Sequence, residues 1–285
     1  MKSVLLVLVL LSSIASLAQS DPTWRSWNQP VEPFRIVGNV YYVGASDIAS
    51  FLITSPRGHI LLDGGFVETA PMIRDNIRRL GFKVEDVKYL LNSHAHFDHA
   101  AGLAQLKQWT GAQFVVSRAD GDQIARGGHN DPMWGDKYTF PPTQPDRIIN
   151  DRDTVTIGDT IMTAHLTPGH TRGCTTWTTD VNEGAHRYHV VFLCSVSAPG
   201  YKLVNNPNYP RIIDDYRHTF AYLKTLPCDV FLGSHGQFFH LAEKRAKQKA
   251  DPTHNPFIDP QEFAAFIAGS ERDFEAQLAK EQQAK

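Results

Sequence analysis

The chain has 285 residues, 42% of them hydrophobic, and a formal net charge of −2 at pH 7. That length suits one large domain or two small ones, with ample apolar content for a core. A near-neutral balance offers no basic surface for phosphates and so argues against a nucleic-acid partner.

The chain opens with Lys2, an almost purely aliphatic run from Val4 to Leu11, and the small-x-small site Ser16-Leu17-Ala18. This pattern is that of a secretory signal peptide spanning residues 1–18. A membrane span needs about 20 apolar residues, and Ser12, Ser13 and Ser16 interrupt this one. The expectation is cleavage after Ala18, export to a bacterial periplasm, and a mature chain, 19–285, with no membrane attachment.

Four short β-rich runs follow, at Phe34–Val37, Val40–Val43, Ser50–Ile53 and His59–Leu62, with turns at Gly38-Asn39 and Pro56-Arg57-Gly58. They read as an antiparallel meander ending in Asp63-Gly64-Gly65. Met72, Ile73, Ile77 and Leu80 form a helical stripe closed by Gly81. Val87–Leu91 is a buried strand, and Leu103, Leu106 and Trp109 mark a helix beyond it. Strand and helix alternate through Arg126.

Between that strand and that helix lies Ser93-His94-Ala95-His96-Phe97-Asp98-His99. The end of a strand feeding a helix is where α/β sheets place ligand sites. His94 and His96 alternate with Ala95, so an extended segment points both the same way. Asp98 and His99 come as the chain turns into the helix and project toward a second point. Imidazole with carboxylate suits zinc and its first-row neighbours.

Residues 127–145 break the rhythm, with Gly127-Gly128, Pro132, Pro141, Pro142 and Pro145 around Trp134, Tyr138 and Phe140. A long loop of this kind is functional or disordered. Its aromatics argue against disorder; they either wall a site or pack the loop onto the body.

A second β region holds Val155–Ile157, Ile161–Ala164 and a hairpin of Cys174–Thr179 with Tyr188–Leu193. Centring that hairpin on Gly184 sets Cys174 opposite Cys194, and export permits a disulfide between them. Cys228 is then left as a buried thiol. Tyr209–Leu226 reads as a helix, Val230–Leu232 as a strand leading to His235, and Pro260–Lys285 as an amphipathic helix. No repeat appears.

His94-Ala95-His96-Phe97-Asp98-His99 resembles the signature of the metallo-β-lactamase superfamily. Leu62-Asp63-Gly64-Gly65, Thr167-Pro168-Gly169-His170 and Gly233-Ser234-His235 stand in the superfamily's order. The likeness is greatest to the third subclass of class B β-lactamases, dizinc enzymes without a cysteine ligand. It implies an α/β fold, the αβ/βα four-layer sandwich of two β-sheets flanked by helices, as one domain of two similar halves. It also implies two Zn2+ ions: one on His94, His96 and His170, the other on Asp98, His99 and His235. Each catalytic zinc then keeps a position open for water.

The resemblance further implies that Asp98 doubles as a ligand that orients a zinc-activated hydroxide for attack on the β-lactam amide. Asp63, at a strand end, is expected to orient a ligand's imidazole. Related lactonases carry a bridging aspartate, and other lactamase subclasses a cysteine, near the position of Ser195. Strand alternation sends Cys194 and Ser195 to opposite faces, so Ser195 is expected to face the metals. Ser195 and Ser197 are candidates for holding the substrate carboxylate. The expected partner is a small-molecule β-lactam, and the chain is expected to be a monomer. The competing expectation is an exported dizinc hydrolase of another ester, lactone or thioester.

Overall fold

The computed structural model describes residues 21–284, so the expected signal peptide lies outside the described residues. Twelve strands form a seven-stranded sheet in the order β1-β2-β3-β4-β5-β6-β7 and a five-stranded sheet in the order β12-β11-β10-β9-β8. In the first, β1 (Phe34–Val37), β2 (Val40–Tyr42), β3 (Phe51–Ser55) and β4 (Gly58–Leu62) are the expected antiparallel meander. Next, β5 (Val87–Leu91), β6 (Gln113–Ser117) and β7 (Arg147–Ile149) add in parallel. The second sheet holds β8 (Thr154–Ile157), β9 (Thr160–Leu166), β10 (Thr175–Glu183), β11 (His186–Leu193) and β12 (Val230–Gly233), with β12 parallel to β11.

Alternation along the strands builds the layers. Ile53, Leu62, Leu91 and Val115 pack in one core with Met162, Ala164 and Trp177 of the facing sheet. Leu52, Leu61, Leu90 and Phe114 point the other way, beneath α2 (Thr69–Arg79) and α4 (Leu103–Thr110). On the outer side of the second sheet, Tyr222 of α6 (Ile212–Leu223) meets His165 of β9 at 2.8 Å. There Phe231 packs on Phe263 and Phe266 of α8 (Glu262–Gln283). The expected order of helices, two sheets and helices is what the chain adopts.

Several boundaries differ from expectation for local reasons. The helix after the His/Asp cluster starts earlier, as α3 (Phe97–Ala100), and pauses at Ala101-Gly102 before α4. A Cβ on Gly102 would lie 2.2 Å from the Gly64 carbonyl oxygen, so the pause sits where two backbones touch. β4 begins one residue earlier than the expected run, at Gly58. The β10–β11 hairpin pairs Glu183 with His186 across the two-residue turn Gly184-Ala185. That register is one residue from the expected centre on Gly184. Cys174 and Cys194 therefore sit just beyond the paired strands, and they do form a disulfide, with Cα atoms 5.9 Å apart.

Two helices, α1 (Pro22–Trp27) and α7 (Leu241–Ala250), complete the element order, with α5 (Arg118–Ala125) following β6. Among the described residues no helix is long and apolar enough to cross a membrane.

Candidate metal centre

The parallel strands β4, β5 and β12 end on the same side of the molecule, and their C-terminal extensions carry the chemistry. Asp63 follows β4, His94 and His96 follow β5, and His235 follows β12. His170 lies on the turn between β9 and β10, and Ser195 follows β11. His96 is extended (φ −92°, ψ 153°) and Phe97 begins the helix. The backbone thus changes conformation between His96 and Asp98, as the motif's spacing predicts.

Ligand atoms of His94, His96 and His170 all lie within 4.8 Å of one another, and so do those of His94, Asp98 and His99. His235 closes on the second group, with Nε2 3.2 Å from His99 Nε2 and 3.5 Å from Asp98 Oδ2. His99 Nε2 is 3.3 Å from the same Asp98 oxygen. The six residues expected to carry metals are therefore gathered at one place, with His94 standing between the two sets. The donors are five imidazoles and one carboxylate. A nitrogen-rich set with one carboxylate fits zinc.

Electrostatics separates the two sets. Burial, followed by the neighbouring imidazoles, holds His94 and His96 well below the usual histidine range. Burial likewise brings His170 down to about 4. These three rings are neutral at pH 7, the form that ligates metal. Burial opposes ionisation of Asp98, yet His99 and His235 outweigh it and hold the carboxyl well below its ordinary value. Burial also disfavours charge on His235, but Asp47 and Asp98 push it up to about 9. A cation binding there displaces a proton.

Backbone and carboxylate acceptors fix the rings. His170 Nδ1 donates to the Ser197 carbonyl at 2.7 Å, and the Tyr201 ring stacks on His170 with centroids 5.7 Å apart. His235 Nδ1 donates to Asp47 Oδ2 at 2.7 Å, and the Trp27 ring meets His235 edge-on at 5.2 Å. Asp63 accepts from the Ser93 amide at 2.6 Å and from Asn92 at 2.9 Å, and its other oxygen lies 3.9 Å from His99 Nδ1. Burial raises the Asp63 carboxyl to about 6, against the pull of His99 and the Ser93 amide. Asp63 thus bonds directly to the backbone that carries the cluster and only approaches the imidazole.

Ser195 Oγ and Ser197 Oγ are 3.1 Å apart, and the Ser197 amide also reaches Ser195 Oγ at 3.3 Å. The 127–145 loop does both things open to it. Tyr138 packs on Phe97 and Trp24, with centroids 4.7 and 5.1 Å away, whereas the Trp134 ring lies 4.5 Å from that of His96. His129 is exposed and pairs with Asp136 at 3.3 Å. His165 sits between Tyr222 and Thr178, away from the cluster. Asp47, Trp27, Tyr201 and Asp120 escape sequence reasoning. None stands at metal-ligand spacing, and Asp47 is 188 positions from the histidine it holds.

A family profile described as the metallo-beta-lactamase superfamily matches residues 43–235. The native FEZ-1 metallo-beta-lactamase from Legionella gormanii is 43% identical, with a TM-score of 0.87 over 90% of this chain and 98% of that one. BJP-1, a subclass B3 metallo-beta-lactamase of Bradyrhizobium japonicum, is 42% identical, with a TM-score of 0.86 over 91% and 98%. The N-acyl homoserine lactonase AttM of Agrobacterium fabrum is 30% identical over 154 residues, 43% of this chain. The chain spans 56% of the length of that curated relative.

Proposed function

The chain belongs to the metallo-beta-lactamase superfamily, and on that premise we propose that it is an exported dizinc β-lactamase of the third subclass. His94, His96 and His170 hold one zinc; Asp98, His99 and His235 hold the other. Two solved relatives more than 40% identical along nearly their whole length bear the name metallo-beta-lactamase. The observation that carries the reading is the donor set itself: five imidazoles and Asp98 at one point. The Cys174–Cys194 bridge fits an oxidising compartment.

Bound at such a site, zinc supplies a Lewis acid and water activated near neutral pH. The chain's own residues do the rest. Asp98 stays ionised and offers a carboxylate oxygen toward the space between the two sets. The Ser197 carbonyl and the Asp47 carboxylate accept the Nδ1 protons of His170 and His235, which leaves each Nε2 lone pair free to ligate. The paired hydroxyls of Ser195 and Ser197 hold the substrate carboxylate. Trp134 shields the ring of His96 from water on one side.

The match to AttM favours a second reading, a dizinc hydrolase of lactones or related esters. Steady-state rates on one carbapenem and one N-acyl homoserine lactone, each with and without chelator, separate the two. The lactamase reading expects chelator-sensitive carbapenem turnover with kcat/KM far above that for the lactone. A reversed preference would establish the alternative.

A further inference from the structure

We propose that Asp120 is a positioning residue for the three-imidazole set, through one carboxylate that ties together the two loops bearing those ligands. The inference rests on the metal-centre reading above. Asp120 lies in the first turn of α5, at 2% exposure. Its Oδ2 accepts from the Ala95 amide at 3.0 Å and from the Thr171 hydroxyl at 2.7 Å. Its Oδ1 accepts from the Gly173 amide at 2.8 Å. Ala95 is the residue between His94 and His96, and Thr171 follows His170. A single side chain therefore ties the backbone between His94 and His96 to the loop that follows His170.

The fit around it is close. Ser117, just before α5, donates to the Gly173 carbonyl at 2.6 Å. A Cβ on Gly173 would lie 2.3 Å from Ser117 Oγ and 2.5 Å from the Asp120 amide, so only glycine lets the loop approach. No Lys, Arg or His among the described residues forms an ion pair with Asp120, so a structural salt bridge does not account for a buried carboxylate here. Its partners do. All three are donors, and a carboxylate is acceptor-only. Asparagine at this position would turn its NH2 toward either Ala95 or Gly173 and leave that N–H without an acceptor, in either orientation.

The test uses Co2+ as probe on metal-free wild type, Asp120→Asn and Thr171→Val. It reads the number of ions bound, their affinities by chelator competition, the visible Co2+ spectrum and the thermal melt. Wild type binding two ions is the condition set by the metal-centre reading, and fewer would sink that reading whatever Asp120 does. Given two, the proposal expects Asp120→Asn to weaken one affinity by about 10–100-fold, as loss of an outer support does. The Co2+ spectrum changes, and the other affinity and the cooperative melt remain. Two wild-type affinities with a wild-type spectrum in Asp120→Asn overturn it. If Asp120→Asn melts without cooperativity, Thr171→Val decides. That variant keeps the carboxylate and both amide bonds, so a weaker single affinity supports the proposal and unchanged binding overturns it.

Discussion

Asp47 and His235 are joined by a 2.7 Å hydrogen bond across 188 residues of sequence, and the second Asp47 oxygen accepts the Gln237 amide at 2.7 Å. The carboxylate fixes both the ring and the backbone just past it. Carboxylate partners of ligating histidines are worth about 10–100-fold in metal affinity. Asp47→Ala is expected to weaken one of two bound zinc ions by that factor and to lower the His235 pKa of the metal-free protein. Chelator competition and histidine NMR titration check the two effects.

Much of this arrangement is legible before folding. The meander, β5 and the turn from extended His96 into helical Asp98 all follow from period and composition, because short apolar runs between turn residues mark the strands and the motif is local. The supports are not legible, since Asp47, Trp27 and Asp120 act through contacts distant in sequence. A carboxylate whose partners lie on other loops leaves no spacing to read. The hairpin register also slipped, because strand continuation to Glu183 depends on pairing with β11, as far as Glu183 with His186, not on the turn residues alone.

The cysteines give a second prediction. Cys174 and Cys194 close a loop with a separation of 20 residues, which in the chain-entropy account stabilises by about 3 kcal/mol. Cys174→Ala with Cys194→Ala should lower Tm by several degrees. Cys228 is a free, partly buried thiol, and burial pushes it up to about 12. A thiol reagent at pH 8 should find no reactive thiol in the native protein and one in denaturant.

Lys244 and Glu262 form an ion pair linking α7 to α8, with side chains 8% and 10% exposed. Removing one partner leaves the other charge buried. Lys244→Ala or Glu262→Ala is expected to cost about 3–5 kcal/mol, whereas replacing both with apolar residues of similar volume should cost far less. Denaturant unfolding of the two single variants and the double variant measures the difference.

His165 predicts a pH dependence outside the metal centre. Burial holds it below the usual histidine value of 6.5, and its nitrogens meet Tyr222 and Thr178 at 2.8 and 2.9 Å. A base depressed in the folded state gives stability that is present above its unfolded pKa. That stability is lost as pH falls, because the unfolded chain binds the proton first. Tm of the zinc-loaded protein should therefore drop as pH falls below about 6.5. His165→Gln should show a shallower drop over the same range.

In the proposed reading six side chains enclose two metal ions. Zinc content per chain, measured by elemental analysis after dialysis against metal-free buffer, tests it most directly, in wild type and in His96→Ala. Wild type is expected to hold about two zinc ions, and His96→Ala to show a clear loss with β-lactam hydrolysis abolished. Wild type holding one zinc or none, or His96→Ala retaining the wild-type complement and rate, would contradict it.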